Sequence, residues 1–539
     1  MRIWIVVGGS TLMLASCGGT GSREPTKSDP GTGQATARSF ESDPLDAQLG
    51  LDSIWVRRFL LAHPQFHVDS TAILDFYRGR GYQYAWFVKD QPQEAVQNFV
   101  NLVGVIDTSA GPQAAQLARD LHELCVLVQR FDTLPPSDSL RAATELLLTG
   151  QFFHLAGAEY GGQVTTDLRE LDWYIPRRKK NYAVLLEALT SSYQDLSAIE
   201  PVNRQYKLLK AQLKRYVDLD KEGAWPPIVP SVMDTLVQGG TGPSVPLLRE
   251  RLQRLGDLKE NSGSDHFDAA LAEAVSAFQE RMGLPLHGMV DAEVLNALNV
   301  PPTDRLRTIM VNMERLRWVP EQLPTRIIVV NIPEFRLHVM EHDVPVLQMD
   351  VVVGTTVRRT LIFRGQVTEV VFAPYWNIPA RIVQNEIMPA AERDPGYLRR
   401  NHIEQLRTGG MRQRPGPQNA LGRVKFLFPN PYMIYLHDTP AKDRFAQRQR
   451  TFSHGCIRVS DARALALYLL KDDPEWPPDA IDKAMEGRSE ITVHLSEGCP
   501  VAITYFTAWV DAQGRLNFRD DVYGHDARLA GVLFQEGLP

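Results

Sequence analysis

Cysteine is scarce in this chain. Four cysteines (Cys17, Cys125, Cys456 and Cys499) are spread over 539 residues. No CxxC pair or Cys/His cluster has zinc-ligand spacing, so no metal or other cofactor is expected. Charge is not massed either. The 58 Lys/Arg and 64 Asp/Glu leave a formal net charge of -6 with no long run of one sign, so a nucleic-acid partner is not expected. Long apolar runs are absent beyond the first residues. What remains is enough for a core: 44% of residues are hydrophobic, and the length suits three or four domains of ordinary size.

The N-terminus reads as a targeting segment. MRIWIVVGGSTLMLASC has one cation, Arg2, then an apolar stretch too short to span a bilayer in a mature protein. Leu14-Ala15-Ser16-Cys17 resembles a bacterial lipobox. That resemblance implies a lipoprotein signal peptide over 1–17, with Cys17 lipidated; an ordinary signal peptide cut nearby is the alternative. Residues 18–45, rich in Gly, Ser, Thr and Pro, suit a flexible linker. The expected location is the periplasm, anchored to the outer or cytoplasmic membrane through a lipid on Cys17. Gly18 favours the outer membrane by resemblance to Gram-negative lipoproteins. With Cys17 lipidated, an odd number of thiols remains. Cys125 lies on an apolar helical pattern and Cys499 precedes Pro500, and both read as inert.

Residues 46–240 show apolar residues three and four apart, as in VNRQYKLLKAQLKRYVDL, and read as a helical scaffold domain without a catalytic constellation. The break GGTGPS (239–244) ends it. Residues 245–300 follow as a small three-helix pattern. Leu248, Leu252 and Leu255 share one face; Leu271, Val275, Phe278 and Met282 share another; Val294, Leu295 and Leu298 mark a third. From Arg326 the period changes to that of short strands, with a tight turn near Glu341–Val344 and a hairpin around Asp511–Gly514. The segment from 378, polar and helical to 410 and extended to 425, reads as a cap inserted in this β-rich domain. Residues 511–539 read as a C-terminal hairpin and helix packing on the scaffold or on this β-rich domain. The fold class is therefore multidomain α+β.

The chemistry concentrates in TFSHGCIRVSDA (451–462). A cysteine attacks as thiolate, so it needs a base or a positive field. YMIYLHDTP reads as a strand ending at His437, and TFSHGC begins beside a neighbouring strand. That topology sets His437 against Cys456. Gly455 permits a tight backbone approach. The Gly455 and Cys456 amides can converge as an oxyanion hole. Arg458 adds a positive charge on the same side of an extended strand. Between 380 and 460 there are 14 Lys/Arg against 6 Asp/Glu, a field that would steer carboxylates.

HD followed by SHGCIRVSD resembles the signature of the L,D-transpeptidases, the YkuD-type catalytic domain. NIPEFRLHVME, VVVGTTVRRT, APYWNIP, RPGPQNALG and RVKFLFPNPYMIYLHDTP extend the resemblance to the large, scaffold-bearing members, most strongly over 326–510. FDAALAEAVSAFQERMGLPLHGMVDAEVLNAL resembles the peptidoglycan-binding repeat of cell-wall enzymes, with His287-Gly288 where Asp-Gly is common. These resemblances imply a mainly-β catalytic domain over 326–510. Cys456 is implied as nucleophile and His437 as base and then acid, oriented by the backbone of Asp438. Gly455, His454 and Ser453 would form the oxyanion-hole loop, with Arg458, Tyr435 and Trp376 toward substrate. The implied partners are donor and acceptor stem peptides of peptidoglycan and its glycan strands. The implied reaction joins tetrapeptide stems by three-to-three cross-links through a thioester.

Other readings are weaker. A buried structural Cys456 or a Cys456–Cys499 disulfide explains neither Gly455 nor His437. Ser453 with His437 lacks a nucleophile-elbow pattern. A carboxypeptidase or endopeptidase, or an enzyme attaching protein to the wall, would share the acyl-enzyme. A non-catalytic wall-tethering lipoprotein would not need the His437/Cys456 pair.

Overall fold

A computed structural model describes residues 51–534 apart from 89–90, 105–125, 127–137, 163, 165, 178–179, 192–201, 232–235 and 408. The leader, Cys17, the 18–45 linker and Cys125 lie outside the described residues. The chain divides into two compact units, 1–163 with 179–201, and 164–178 with 202–539.

The first unit is mainly helical where described, with one short antiparallel pair of strands, Phe87–Val88 and Gln91–Pro92. Helices Ser53–Ala62, Ser70–Gly79, Asp138–Ala156 and Tyr182–Ser191 bury Trp55, Phe59, Ile73, Tyr77, Leu146, Phe153 and Leu186 in one core. The aromatic, glycine-rich stretch 76–86 is pinned by one buried carboxylate. Glu145 accepts from the amides of Ala85 (2.7 Å) and Trp86 (2.9 Å) and from the Tyr77 hydroxyl (2.9 Å). Burial raises its pKa to about 7 against those hydrogen bonds.

The scaffold pattern read over 46–240 does not stay in that unit. Helix Arg204–Lys221 packs on helix Pro302–Trp318 in the second unit. It buries Tyr206, Leu209, Leu213 and Tyr216 there, and Arg317 donates to the Tyr206 hydroxyl (3.0 Å). Residues 166–177 also belong to the second unit, where the Tyr174 amide donates to Ile362 (2.9 Å). Helical periodicity reports a buried face but not which neighbour buries it.

The three-helix segment comprises Val245–Leu255, Ala269–Met282 and Ala292–Asn299. Asp268 and Asp291 cap the second and third, accepting from the amides of Leu271 and Val294 (both 2.9 Å). Gly256 and Gly283 close the first and second in the left-handed region. Leu248, Leu252, Leu271, Val275, Phe278, Val294 and Leu298 are all buried, as their spacing requires.

The β-rich domain is a sheet closed on itself. Strand Arg336–Glu341 pairs antiparallel with both Arg326–Asn331 and Val344–Gly354. From Val344–Gly354 the ring continues through Ile457–Val459, Leu436–His437, Val424–Leu427, Arg364–Phe372 and Ile491–Thr504 back to Arg326–Asn331. Thr451–Ser453 is appended to Val344–Gly354. His342 and Asp343 both have positive φ, the geometry of a two-residue hairpin turn. Ile328, Val351, Val370, Phe426, Leu436, Ile457 and Val501 fill the interior. Buried Cys499 lies among them and is a free thiol, as is Cys456.

The cap is only half helical. Helical turns run from Ala380 to Arg393 and over Tyr397–Arg400. Ile403–Gln405 and Met411–Gln413 then form a small sheet with Trp376–Ile378. Glu404 bridges Arg412 (2.5 Å) on the facing strand and Arg414 (2.6 Å) just after it, a pairing the polar sequence concealed. The C-terminal hairpin pairs Ala508–Val510 with Leu516–Phe518. Helix His525–Leu533 packs against Pro302–Trp318. No helix among the described residues is long and apolar enough to cross a membrane.

Gly354 ends the strand Val344–Gly354. A Cβ there would collide with the carbonyl of Arg358 and lie 2.7 Å from the Thr360 amide. Gly354→Ala is therefore expected to destabilise the fold by about 1–3 kcal/mol. Chemical denaturation checks this, and an unchanged midpoint would contradict the close approach.

Candidate active site

Two short parallel strands build the site. Leu436–His437 pairs with Ile457–Val459 in the register Leu436 to Ile457 and His437 to Arg458. The Ile457 amide donates to the Tyr435 carbonyl (3.1 Å), which carries the pairing back to Cys456. Leu436, Ile457 and Val459 point into the core. The period of two then puts Tyr435, His437, Cys456 and Arg458 on the opposite face, as the corners of one square.

Each corner carries a distinct property. His437 is buried, and its Nδ1–H donates to the Asp438 carbonyl (2.5 Å). That bond selects the tautomer with a free lone pair on Nε2. Burial, reinforced by Arg458, pushes the imidazole pKa down to about 4. Cys456 is half-buried, and burial raises its thiol pKa against the opposing pull of the Tyr435 amide and hydroxyl and of Arg458. The thiol donates to the Met433 carbonyl at 3.6 Å, and no hydrogen bond joins it to His437 in this state. The resting pair is thus neutral thiol beside neutral imidazole.

Arg458 has no ion-pair partner among the described residues, and its Nε is buried without a hydrogen-bond partner. About half of the basic excess noted around it meets carboxylates from outside that stretch. Arg423 faces Glu486, Lys425 faces Glu490, Arg448 faces Asp520, and Arg450 faces Asp350. The local field at the square therefore comes from Arg458 itself.

The loop residues have separate roles. Ser453 is buried, and its Oγ donates to the Cys456 carbonyl (2.5 Å) and accepts from the Gly455 amide (3.1 Å). This is a correction to the paired-amide oxyanion hole. The Gly455 N–H is already committed, and of the two only the Cys456 N–H lacks a partner among the described residues. Gly455 has φ +118°, which a residue with Cβ rarely adopts. His454 is exposed and bonds Glu386 of the cap (2.8 Å). Asp438 presents its carbonyl to His437, while its carboxylate binds Lys442 (2.7 Å) and the Arg423 amide (2.9 Å). Trp376 packs against the cap's own apolar cluster of Ile378, Ile387 and Met411.

Sequence reasoning missed Met433 and Asn430. The expected long strand ending at His437 is only two residues. The Asn430 side chain bonds the Phe428 and Ile434 carbonyls and the Tyr432 and Ile434 amides, holding a turn in which Met433 has φ +55°. The Asn-Pro pair at 430–431 was the available signal. A groove of about 1440 Å³ elsewhere in this unit is lined by residues such as Leu284, Asn331 and Trp509 and by none of the square.

Comparison with known proteins agrees with this layout. Residues 325–478 match the L,D-transpeptidase catalytic domain, 71–213 a scaffold domain, and 241–298 a family described as "Putative peptidoglycan binding domain". A Haemophilus influenzae protein named "Putative L,D-transpeptidase" is 30% identical over 241 residues, covering 41% of this chain and 48% of that protein. The chain thus spans about half the length of that curated relative. Solved structures similar to the chain include an L,D-transpeptidase from Xylanimonas cellulosilytica, 17% identical, covering 51% of this chain and 100% of its own, with a TM-score of 0.17. L,D-transpeptidase 1 of Mycobacterium tuberculosis is 12% identical, covering 33% and 61%, with a TM-score of 0.17. Overlays that loose decide nothing about this chain.

Proposed function

Starting from a chain that carries an L,D-transpeptidase catalytic domain with scaffold and peptidoglycan-binding domains, we propose a cysteine-dependent L,D-transpeptidase. Its reaction forms three-to-three cross-links between peptidoglycan stems. The observation that carries this reading is the square on one sheet face. It sets a thiol, an imidazole with a free Nε2 and an arginine without an ion partner side by side.

The Cys456 sulfur attacks the carbonyl of the third residue of a donor tetrapeptide while Nε2 of His437 takes the thiol proton. The Cys456 N–H stabilises the oxyanion as it develops. The tetrahedral intermediate collapses, the C–N bond to the terminal D-residue breaks, and His437 returns the proton to the leaving amine. A thioester remains. The side-chain amine of a second stem then attacks it, His437 takes one proton from that amine, and the thiol is restored as the new amide forms. Arg458 holds a carboxylate of the donor stem, and Glu386 with His454 ties the cap to the loop. The unit over 245–300 holds glycan strands near the site. In this reading a leader over 1–17 and a lipid on Cys17 anchor the enzyme to a membrane in the periplasm, with Gly18 favouring the outer membrane over the cytoplasmic one.

Incubating the soluble protein with disaccharide-tetrapeptide tests the acceptor. The expected product is a tetrapeptide–tripeptide dimer linked three-to-three, with one D-residue released per bond. Tripeptide alone would instead mean that water is the acceptor, as in a carboxypeptidase. No product from a well-folded protein would favour a wall tether.

A further inference from the structure

The backbone polar groups around Cys456 are almost all spoken for. The Gly455 amide goes to Ser453 Oγ (3.1 Å), and the Cys456 carbonyl accepts from that same hydroxyl (2.5 Å). The Gly455 carbonyl accepts from Thr360 Oγ1 at 2.8 Å. The Cys456 N–H alone is left over among these groups. In a trans peptide the carbonyl of one residue and the amide of the next point in opposite directions. Thr360 is buried. By pulling the Gly455 carbonyl inward, it turns the Cys456 N–H outward.

Thr360 is itself held in a single role. Its Oγ1 accepts from the Gly354 amide (2.9 Å), so its one hydroxyl proton is directed to Gly455. Its amide donates to the Tyr523 hydroxyl (3.4 Å), which in turn donates to the Gly354 carbonyl (2.6 Å). The segment before the C-terminal helix thereby braces the loop behind the nucleophile.

We propose that Thr360 is a positioning residue for acyl transfer: its hydroxyl fixes the Gly455–Cys456 peptide so that the Cys456 N–H is the oxyanion donor. This rests on the acyl-transfer reading above. A valine keeps the shape and removes the hydroxyl, whereas serine keeps the hydroxyl. The test compares acylation by a carbapenem, followed by intact mass, with alkylation by iodoacetamide, which develops no oxyanion. Thr360→Val is expected to slow acylation by about 10- to 100-fold while alkylation stays within about twofold. Thr360→Ser is expected to acylate within about threefold of the wild type, because it restores the donor. Unchanged acylation in a folded Thr360→Val, or an equal loss in both reactions, would overturn the proposal. If the valine variant does not fold, Thr360→Ala is judged by the same split. Wild-type protein that is alkylated but not acylated would instead refute the acyl-transfer reading itself.

Discussion

Cys456→Ala is expected to lower cross-link formation by about ten-thousand-fold or more, to the level of buffer. Among the described residues no second nucleophile stands ready to replace the thiol. The nearest hydroxyl on the loop, Ser453, donates its proton to the Cys456 carbonyl and accepts from the Gly455 amide, so it has none to give His437. The protein should stay folded, because Cys456 is half-buried and its neighbours Ile457 and Val459 hold the core. Product analysis by liquid chromatography and mass spectrometry checks this, with a thermal melt as control. Residual activity within about tenfold of wild type would remove Cys456 from the mechanism.

His437→Ala is expected to slow acylation by about a hundred- to ten-thousand-fold near neutral pH, and to change the shape of the pH profile. Burial pushes the imidazole down to about 4 and raises the thiol. At pH 7 the wild type is then a neutral pair. As pH falls from 7 to 5 the imidazole stays unprotonated, so no acid limb is expected near 6.5. As pH rises from 5 toward the raised thiol pKa the neutral pair stays fully populated, so the wild-type rate is expected to stay flat. Without His437 only preformed thiolate reacts, so the variant's rate should climb about tenfold per pH unit below the thiol pKa. The gap to wild type should narrow in alkali. A wild-type acid limb near pH 6.5 would mean that the imidazole titrates at its ordinary value and that burial does not hold it down.

Much of this site was legible in the sequence because it depends on local order. A strand that ends in His437 and a loop that ends in Cys456 share a face as soon as their strands pair in parallel, and the small Gly455 marks the bend. The three helices over 245–300 were legible for a similar reason, since leucines recur at helical spacing; the aspartate caps at 268 and 291 came only with the structure. The Asp438 carbonyl as the partner of Nδ1 came from resemblance, and the structure has it within hydrogen-bond distance.

What escaped the sequence is what distant segments decide. The Gly455 amide looks available until Ser453 Oγ is seen to take it. Thr360 lies 95 residues before Gly455, and its contact has no periodic signature. Helix Arg204–Lys221 reads like the scaffold helices before it, yet Tyr206 and Tyr216 are buried in the other unit. The cap strands were hidden because Glu404, Arg412 and Arg414 make a polar stretch that suits a helix surface as well as an edge of sheet. The basic excess around the site overstated the local field, because partners such as Glu486, Glu490 and Asp520 lie outside the counted stretch.

The central claim is an activated, acyl-accepting thiol at Cys456. Intact mass spectrometry of the protein lacking residues 1–17, incubated with a carbapenem beside its Cys456→Ala variant, tests it most directly. One covalent equivalent on the wild type and none on the variant is the predicted result. An unmodified wild type that is well folded, or an adduct that persists in Cys456→Ala, would contradict the account.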